Sequence, residues 1–185
     1  MILKNTTSLS THRIIEMFRA CAGAHPTDGL DIRIRYSRSS DFSGTCYYDR
    51  HRLHVNLGRH LSYPYQLDTY IARAVTARST WWKPLYSLEM ADGYQVVLFV
   101  LLHEYYHWLV KRAGRNTRQK ESMCDRFATR ALVDRFGVKV RDPQGAEVPR
   151  RLWDFQDLDG FVASARLARR VAPPKQVAAR NPTAR

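Results

Sequence analysis

What this sequence has little of narrows it first. Its three cysteines, Cys21, Cys46 and Cys124, are an odd number and form no C-x-x-C pair. That argues against a disulfide framework or a cysteine zinc site and fits a reducing compartment. Long apolar runs are also missing. The stretch Val96 to Leu102 falls far short of the roughly 20 residues that span a bilayer, and Met1 to Ser8 has no apolar leader core. A soluble, cytoplasmic protein with no membrane partner is expected. Acidic residues are outnumbered, 17 against 30 Lys and Arg, for a net charge of +13. None follows Asp159, while Arg166, Arg169, Arg170, Lys175, Arg180 and Arg185 do. A basic end of this kind commonly meets nucleic acid, yet no nucleic-acid-binding fingerprint accompanies it. A solvated basic surface with a disordered tail is the plainer reading. Repeats are absent as well.

What remains is enough for a packed body. With 185 residues, 44% of them hydrophobic and 11% aromatic, one domain over 1–172 followed by a basic disordered tail at 173–185 is expected. A first helix runs from Ser8 or Ser10 to Cys21, with Ile14, Ile15 and Phe18 on one stripe. Leu30 to Tyr36 alternates apolar and charged residues and reads as a strand. Gly44 to Tyr48 and Arg52 to Leu57 read as two more, joined through Asp49-Arg50-His51. Tyr65 to Arg78 reads as a helix after Pro64, with Leu67, Tyr70, Ile71, Ala74 and Val75 on its apolar side. Trp81-Trp82-Lys83-Pro84-Leu85-Tyr86 follows as an aromatic loop that caps the core or walls a pocket. A long helix starts at Asp92-Gly93 and stops at Gly114, and another runs from Asn116 or Thr117 to Phe136 and ends at Gly137. Val138 to Val140 is a short extended piece, and Leu152 to Val171 a last helix stopped by Pro173-Pro174.

The long helix carries the chemistry. His103-Glu104-Tyr105-Tyr106-His107 is an H-E-x-x-H inside an apolar run. Histidines four apart lie on one helix face, so their imidazoles can converge on one ion. Zinc takes neutral imidazole readily, and its hydrolytic sites keep one position for water. Glu104, next to the first ligand, is placed to take a proton from that water. With seven His and five Glu in the chain, a chance match has a probability of roughly one per cent. The bland alternative is a buried helix whose histidines merely meet backbone groups, at a high cost in unpaired polar burial.

The following helix offers Glu121 and Asp125, again four apart on one face beside Cys124 and Ala128. One carboxylate can reach the ion, and the other can orient a ligand imidazole. The combined pattern, H-E-x-x-H and then E-x-x-[AC]-D-x-F-A, resembles the gluzincin zinc metallopeptidases, especially the small ImmA/IrrE-like ones. That resemblance implies His103, His107 and Glu121 as zinc ligands and Glu104 as the catalytic base, with Asp125 as the acidic residue that follows the glutamate ligand. The connection 108–120 is short for that class, and Cys124 stands where alanine is more usual. SprT-like proteases have a similar gap but a histidine third ligand, and no His follows His107.

The expected architecture is α+β and zincin-like: helices around a small, mostly antiparallel three-stranded sheet, with Zn2+ between two consecutive helices. The expected activity is hydrolysis of a protein or peptide substrate with Glu104 as general base. Main-chain pairing of the substrate to a strand edge near the site helix goes with it, while whether Tyr47, Tyr48, His51 or His54 reaches the scissile group stays open. The rival is a nucleic-acid-associated binding or regulatory protein with a structural metal site, its basic surface and tail gripping the polyanion.

Overall fold

Strands β1 (Ile2–Asn5), β2 (Asp31–Tyr36), β3 (Phe42–Tyr47) and β4 (Arg52–Leu57) form one sheet in the order β1-β2-β4-β3. The computed structural model describes residues 1–163. β1 pairs parallel to β2, and β2 parallel to β4, while β3 alone is antiparallel at the edge. The sheet is therefore four-stranded and mixed, not three-stranded and mostly antiparallel. The difference comes from the short first strand. Ile2–Asn5 is joined to β2 by helix α1 (Thr11–Ala22), and such a crossover returns the chain parallel to its start. After β2 the chain passes to the far edge as β3 and hairpins back into the gap as β4.

Register sorts the side chains. Ile32 pairs with Leu53 and Ile34 with Val55, while Gly44 and Cys46 of β3 stand opposite Val55 and Leu53. This face is buried against the long helix α2 (Gly93–Arg112). The opposite face, with Lys4, Arg33, Arg35 and Arg52, points to solvent, as the period of two requires.

Ser10 caps α1 by accepting from the Arg13 N–H, and Asp92 caps α2 by accepting from the Gln95 N–H. From Val96 to Val110 every residue of α2 is buried except His103. The sheet, α1, α3 (Glu121–Phe136) and β8 (Tyr86–Met90) all pack on it, so it is the apolar axle of the molecule. Helix α3 starts later than Asn116 or Thr117, because Gln119 takes a positive φ of 55° and interrupts the helical backbone. Gly137 closes it in the left-handed region, as expected.

The helix expected over 65–78 does not form. β5 (Tyr65–Thr69) instead pairs antiparallel with β8, which also pairs with β9 (Val140–Arg141). Leu67 and Thr69 are buried while Gln66 and Asp68 are exposed, a period-two pattern, and Leu67 sits opposite the buried Leu88. That ladder outweighs the helical spacing of the apolar residues. The chain between β5 and β8 forms a separate ribbon of β6 (Val75–Ala77), which takes the end of the expected helix, and β7 (Thr80–Trp82), which takes in the two tryptophans that open the expected aromatic loop. Near the end, Arg150–Leu152 is a 3₁₀ turn, and the backbone is helical over 158–163. The helix expected from Leu152 thus starts later; its remainder and the tail lie outside the described residues. The fold is α+β, and no helix among the described residues is long and apolar enough to cross a membrane.

Candidate metal centre

Packing α3 against α2 brings four sequence-selected side chains to one point. The Nε2 atoms of His103 and His107 are 3.2 Å apart. Glu121 straddles them, with Oε2 3.2 Å from His103 Nε2 and Oε1 3.3 Å from His107 Nε2. Ligands about 2.0–2.1 Å from a tetrahedral ion stand roughly 3.3 Å from one another. The three donor groups therefore have the mutual spacing of a tetrahedral set. Asp125 completes the arrangement from behind, its Oδ1 2.8 Å from His103 Nδ1. A carboxylate only accepts, so Nδ1 carries a hydrogen toward Asp125, and in the neutral ring Nε2 then turns its lone pair toward Glu121 and His107.

Facing lone pairs repel unless something positive lies among them. Burial pulls the His103 imidazolium down, but the hydrogen bonds to Asp125 and Glu121 outweigh it and push its pKa up to about 10. The hydrogen bond from His103 holds the Glu121 carboxyl down to about 2, against some burial. Burial and the neighbouring His103 depress His107, and its buried Nδ1 has no partner among the described residues. Two imidazoles and a carboxylate suit zinc.

Glu104 lies beside this set and differs from it. Its side chain is buried, and burial pushes its pKa up to about 7, with His103 lowering it and Glu121 raising it. The edge strand β3 lies directly over it. A Cβ built at Gly44 would stand 2.3 Å from Glu104 Oε1 and 2.7 Å from its Cγ. Only glycine lets the strand and the carboxylate share that space. A cavity of about 320 Å³ opens there, its lining including Ser43, Gly44, Tyr70, Phe99 and the five charged or imidazole groups Asp68, His103, Glu104, Glu121 and Asp125.

Cys124 was passed over in the sequence as a small neighbour, yet it offers a thiol within 4.8 Å of ligand atoms of both histidines. Burial, then Glu121, Asp125 and Glu104, push its pKa far up. Metal ligation by cysteine needs the thiolate, so Glu121, closer and ionised, is the better third donor. Gly44 and Tyr70 were also missed as site residues. The glycine inside a strand is the signal for a close approach; Tyr70 was hidden by the helical reading. The histidines of the hairpin lie elsewhere: His51 accepts from Trp108 Nε1 at 3.0 Å, and His54 sits against the Tyr47 ring. Neither they nor Tyr47 and Tyr48 line the cavity. Compared with protein families, curated proteins and solved structures, the chain finds no match in any of the three.

Proposed function

We propose that the protein is a zinc-dependent metallopeptidase of zincin-like architecture, with His103, His107 and Glu121 holding the ion, Asp125 supporting His103, and Glu104 as general base. The single observation that carries the reading is the Glu121 carboxylate straddling two imidazole nitrogens that lie 3.2 Å apart, one oxygen 3.2 Å from His103 Nε2 and the other 3.3 Å from His107 Nε2, with a buried carboxylate and an edge strand beside it. A bound zinc supplies Lewis acidity and makes water reactive near neutral pH. Glu104, poised near neutrality, takes the proton of the attacking water and delivers it to the leaving amine. Among the described residues the outer edge of β3 has no neighbouring strand, so an extended peptide can pair with it and bring its carbonyl over Glu104. Asp125 keeps the His103 ring fixed throughout. The test is Glu104→Gln in metal-loaded protein, assayed on a quenched-fluorescence peptide mixture. Zinc content stays equal to wild type while hydrolysis falls by about 10²–10⁴-fold; undiminished turnover with full metal would refute the assignment.

A second partner is favoured by the solvent face of the four-stranded sheet. Lys4, Arg33, Arg35 and Arg52 line it with only Asp31 among them, paired to Arg33 and Arg52 at 3.1 and 2.7 Å. This face lies away from α2 and fits nucleic acid or another polyanion. Steeply salt-dependent binding that survives Glu104→Gln is its signature.

A further inference from the structure

The β6–β7 ribbon is rooted in the metal centre at both ends. Where it leaves β5, the Tyr70 N–H donates to Asp125 Oδ2 at 3.2 Å, while the other oxygen of that carboxylate holds His103. Where it returns, Lys83 Nζ donates to Ser122 Oγ at 2.7 Å, one residue beyond Glu121. Between those anchors every residue from Arg73 to Trp82 is exposed. Trp81 is 70% and Trp82 48% exposed, and adjacent strand residues point to opposite faces, so each face of the ribbon carries one indole. Val75 pairs with Trp82 and Thr76 with Trp81. A two-stranded ribbon wet on both faces has no core of its own, and a large exposed apolar side chain on each face marks a binding surface.

Charge decides what binds there. From Thr69 to Leu88 no acidic residue occurs, while Arg73, Arg78 and Lys83 do. Basic aromatic ribbons suit nucleic acid in isolation, but this one leads into a cavity lined by Asp68, Glu104, Glu121 and Asp125. A phosphodiester strand lying on the ribbon would run into those carboxylates. A polypeptide backbone is neutral, and it can continue along the edge strand β3, whose Ser43 and Gly44 line the same cavity.

We propose that the β6–β7 ribbon is a recognition arm for an extended polypeptide segment, whose bulky apolar side chains pack on Trp81 and Trp82 and whose acidic side chains face the arm's cations. This names the substrate class of the metal centre and rests, for the word substrate, on the peptidase reading; the binding itself does not require turnover.

The experiment uses the full chain carrying Glu104→Gln, loaded with zinc. Fluorescein-labelled peptides rich in Phe, Leu and Asp are titrated by anisotropy, beside the same peptides with Lys for Asp and a labelled oligothymidylate. The expected result is preference for the acidic apolar peptides, a loss of at least about tenfold in affinity in Trp81→Ala/Trp82→Ala, and a reduced preference in Arg78→Glu. Zinc content and thermal melting of the double variant stay unchanged, since both indoles are exposed. Equal peptide affinity with and without the tryptophans overturns the proposal, and so does tryptophan-dependent oligothymidylate binding without peptide binding. Tryptophan-dependent peptide binding in a protein whose wild-type form hydrolyses nothing supports the arm and sinks the peptidase reading. Hydrolysis that is indifferent to the tryptophans, with equal peptide affinity, does the reverse.

Discussion

Gly44→Ala probes the contact between the sheet and Glu104, the proposed general base, with one carbon atom. The new Cβ would fall 2.3 Å from Glu104 Oε1, 2.7 Å from Cγ and 2.8 Å from the carboxyl carbon, all well inside van der Waals contact. Something must move by roughly an ångström. Glu104 cannot move back into α2, where its neighbours from Leu101 to Tyr106 are buried apart from His103. Either the carboxylate swings into the cavity or β3 lifts from the helix. Overpacking of this kind costs about 1–3 kcal/mol of stability, and a misplaced general base forfeits most of the 10²–10⁴-fold that such a group contributes. Gly44 lacks the positive φ that makes other glycines irreplaceable, so backbone strain does not confuse the outcome. The assay pairs kcat/KM on a quenched peptide with zinc content and thermal melting. Zinc content should match wild type, because His103, His107 and Glu121 are untouched, while kcat/KM drops by about 10²-fold or more and the melting point falls by several degrees. Wild-type kcat/KM in Gly44→Ala would mean that Glu104 is not needed where the structure holds it, and the mechanism would fail.

Two further outcomes follow from the same site. In metal-free protein the Glu104 pKa is raised from 4.5 to about 7 by burial, so the folded state favours the protonated acid and loses stability as pH rises from about 4.5 through 7; chemical denaturation should find metal-free Glu104→Gln more stable than metal-free wild type at pH 8 by up to about 3 kcal/mol, with the gap closing below pH 4.5, and no pH dependence of the gap would contradict the burial argument. Asp125→Asn removes the anionic acceptor behind His103 Nδ1 and should weaken zinc affinity by about 10–100-fold in a competition titration with a chelating dye, whereas unchanged affinity would show that His103 needs no such support.

How much of this was legible depends on whether a feature is written along one helix or across several elements. The spacing of His103, Glu104 and His107, and of Glu121 and Asp125, sets their common faces by helical period alone, so both halves of the centre could be read before any fold was known. The stops at Gly114 and Gly137 and the start at Asp92 were legible for a similar local reason. β1 was not, because four residues show no convincing alternation and its partner β2 lies beyond a whole helix. The helix expected over 65–78 failed where two periods competed: Leu67, Tyr70, Ile71 and Ala74 fit a helical stripe, but Leu67 and Thr69 also fit a strand, and only the ladder with Leu88 and Tyr86 decides between them.

The misread segment turned out to matter most for the site, and the reason is physical. Asp125 divides its two oxygens between the His103 ring and the Tyr70 N–H, and Arg126, the next residue, uses its buried guanidinium to hold the carbonyls of Ile71 and Ala72 at 2.8 and 3.4 Å. A helix over 65–78 would have bonded its own backbone groups internally and offered neither the N–H nor the carbonyls. Those groups instead pair with α3, which fixes where the ribbon leaves the core and ties the orientation of the His103 ring to it. Gly44 does the same from the other side, setting how closely β3 approaches α2. The cavity is thus walled by two strands that reach the helices through hydrogen bonds or contacts made at the site itself, so a change in either wall should register at Glu104 or His103 before it registers in the core.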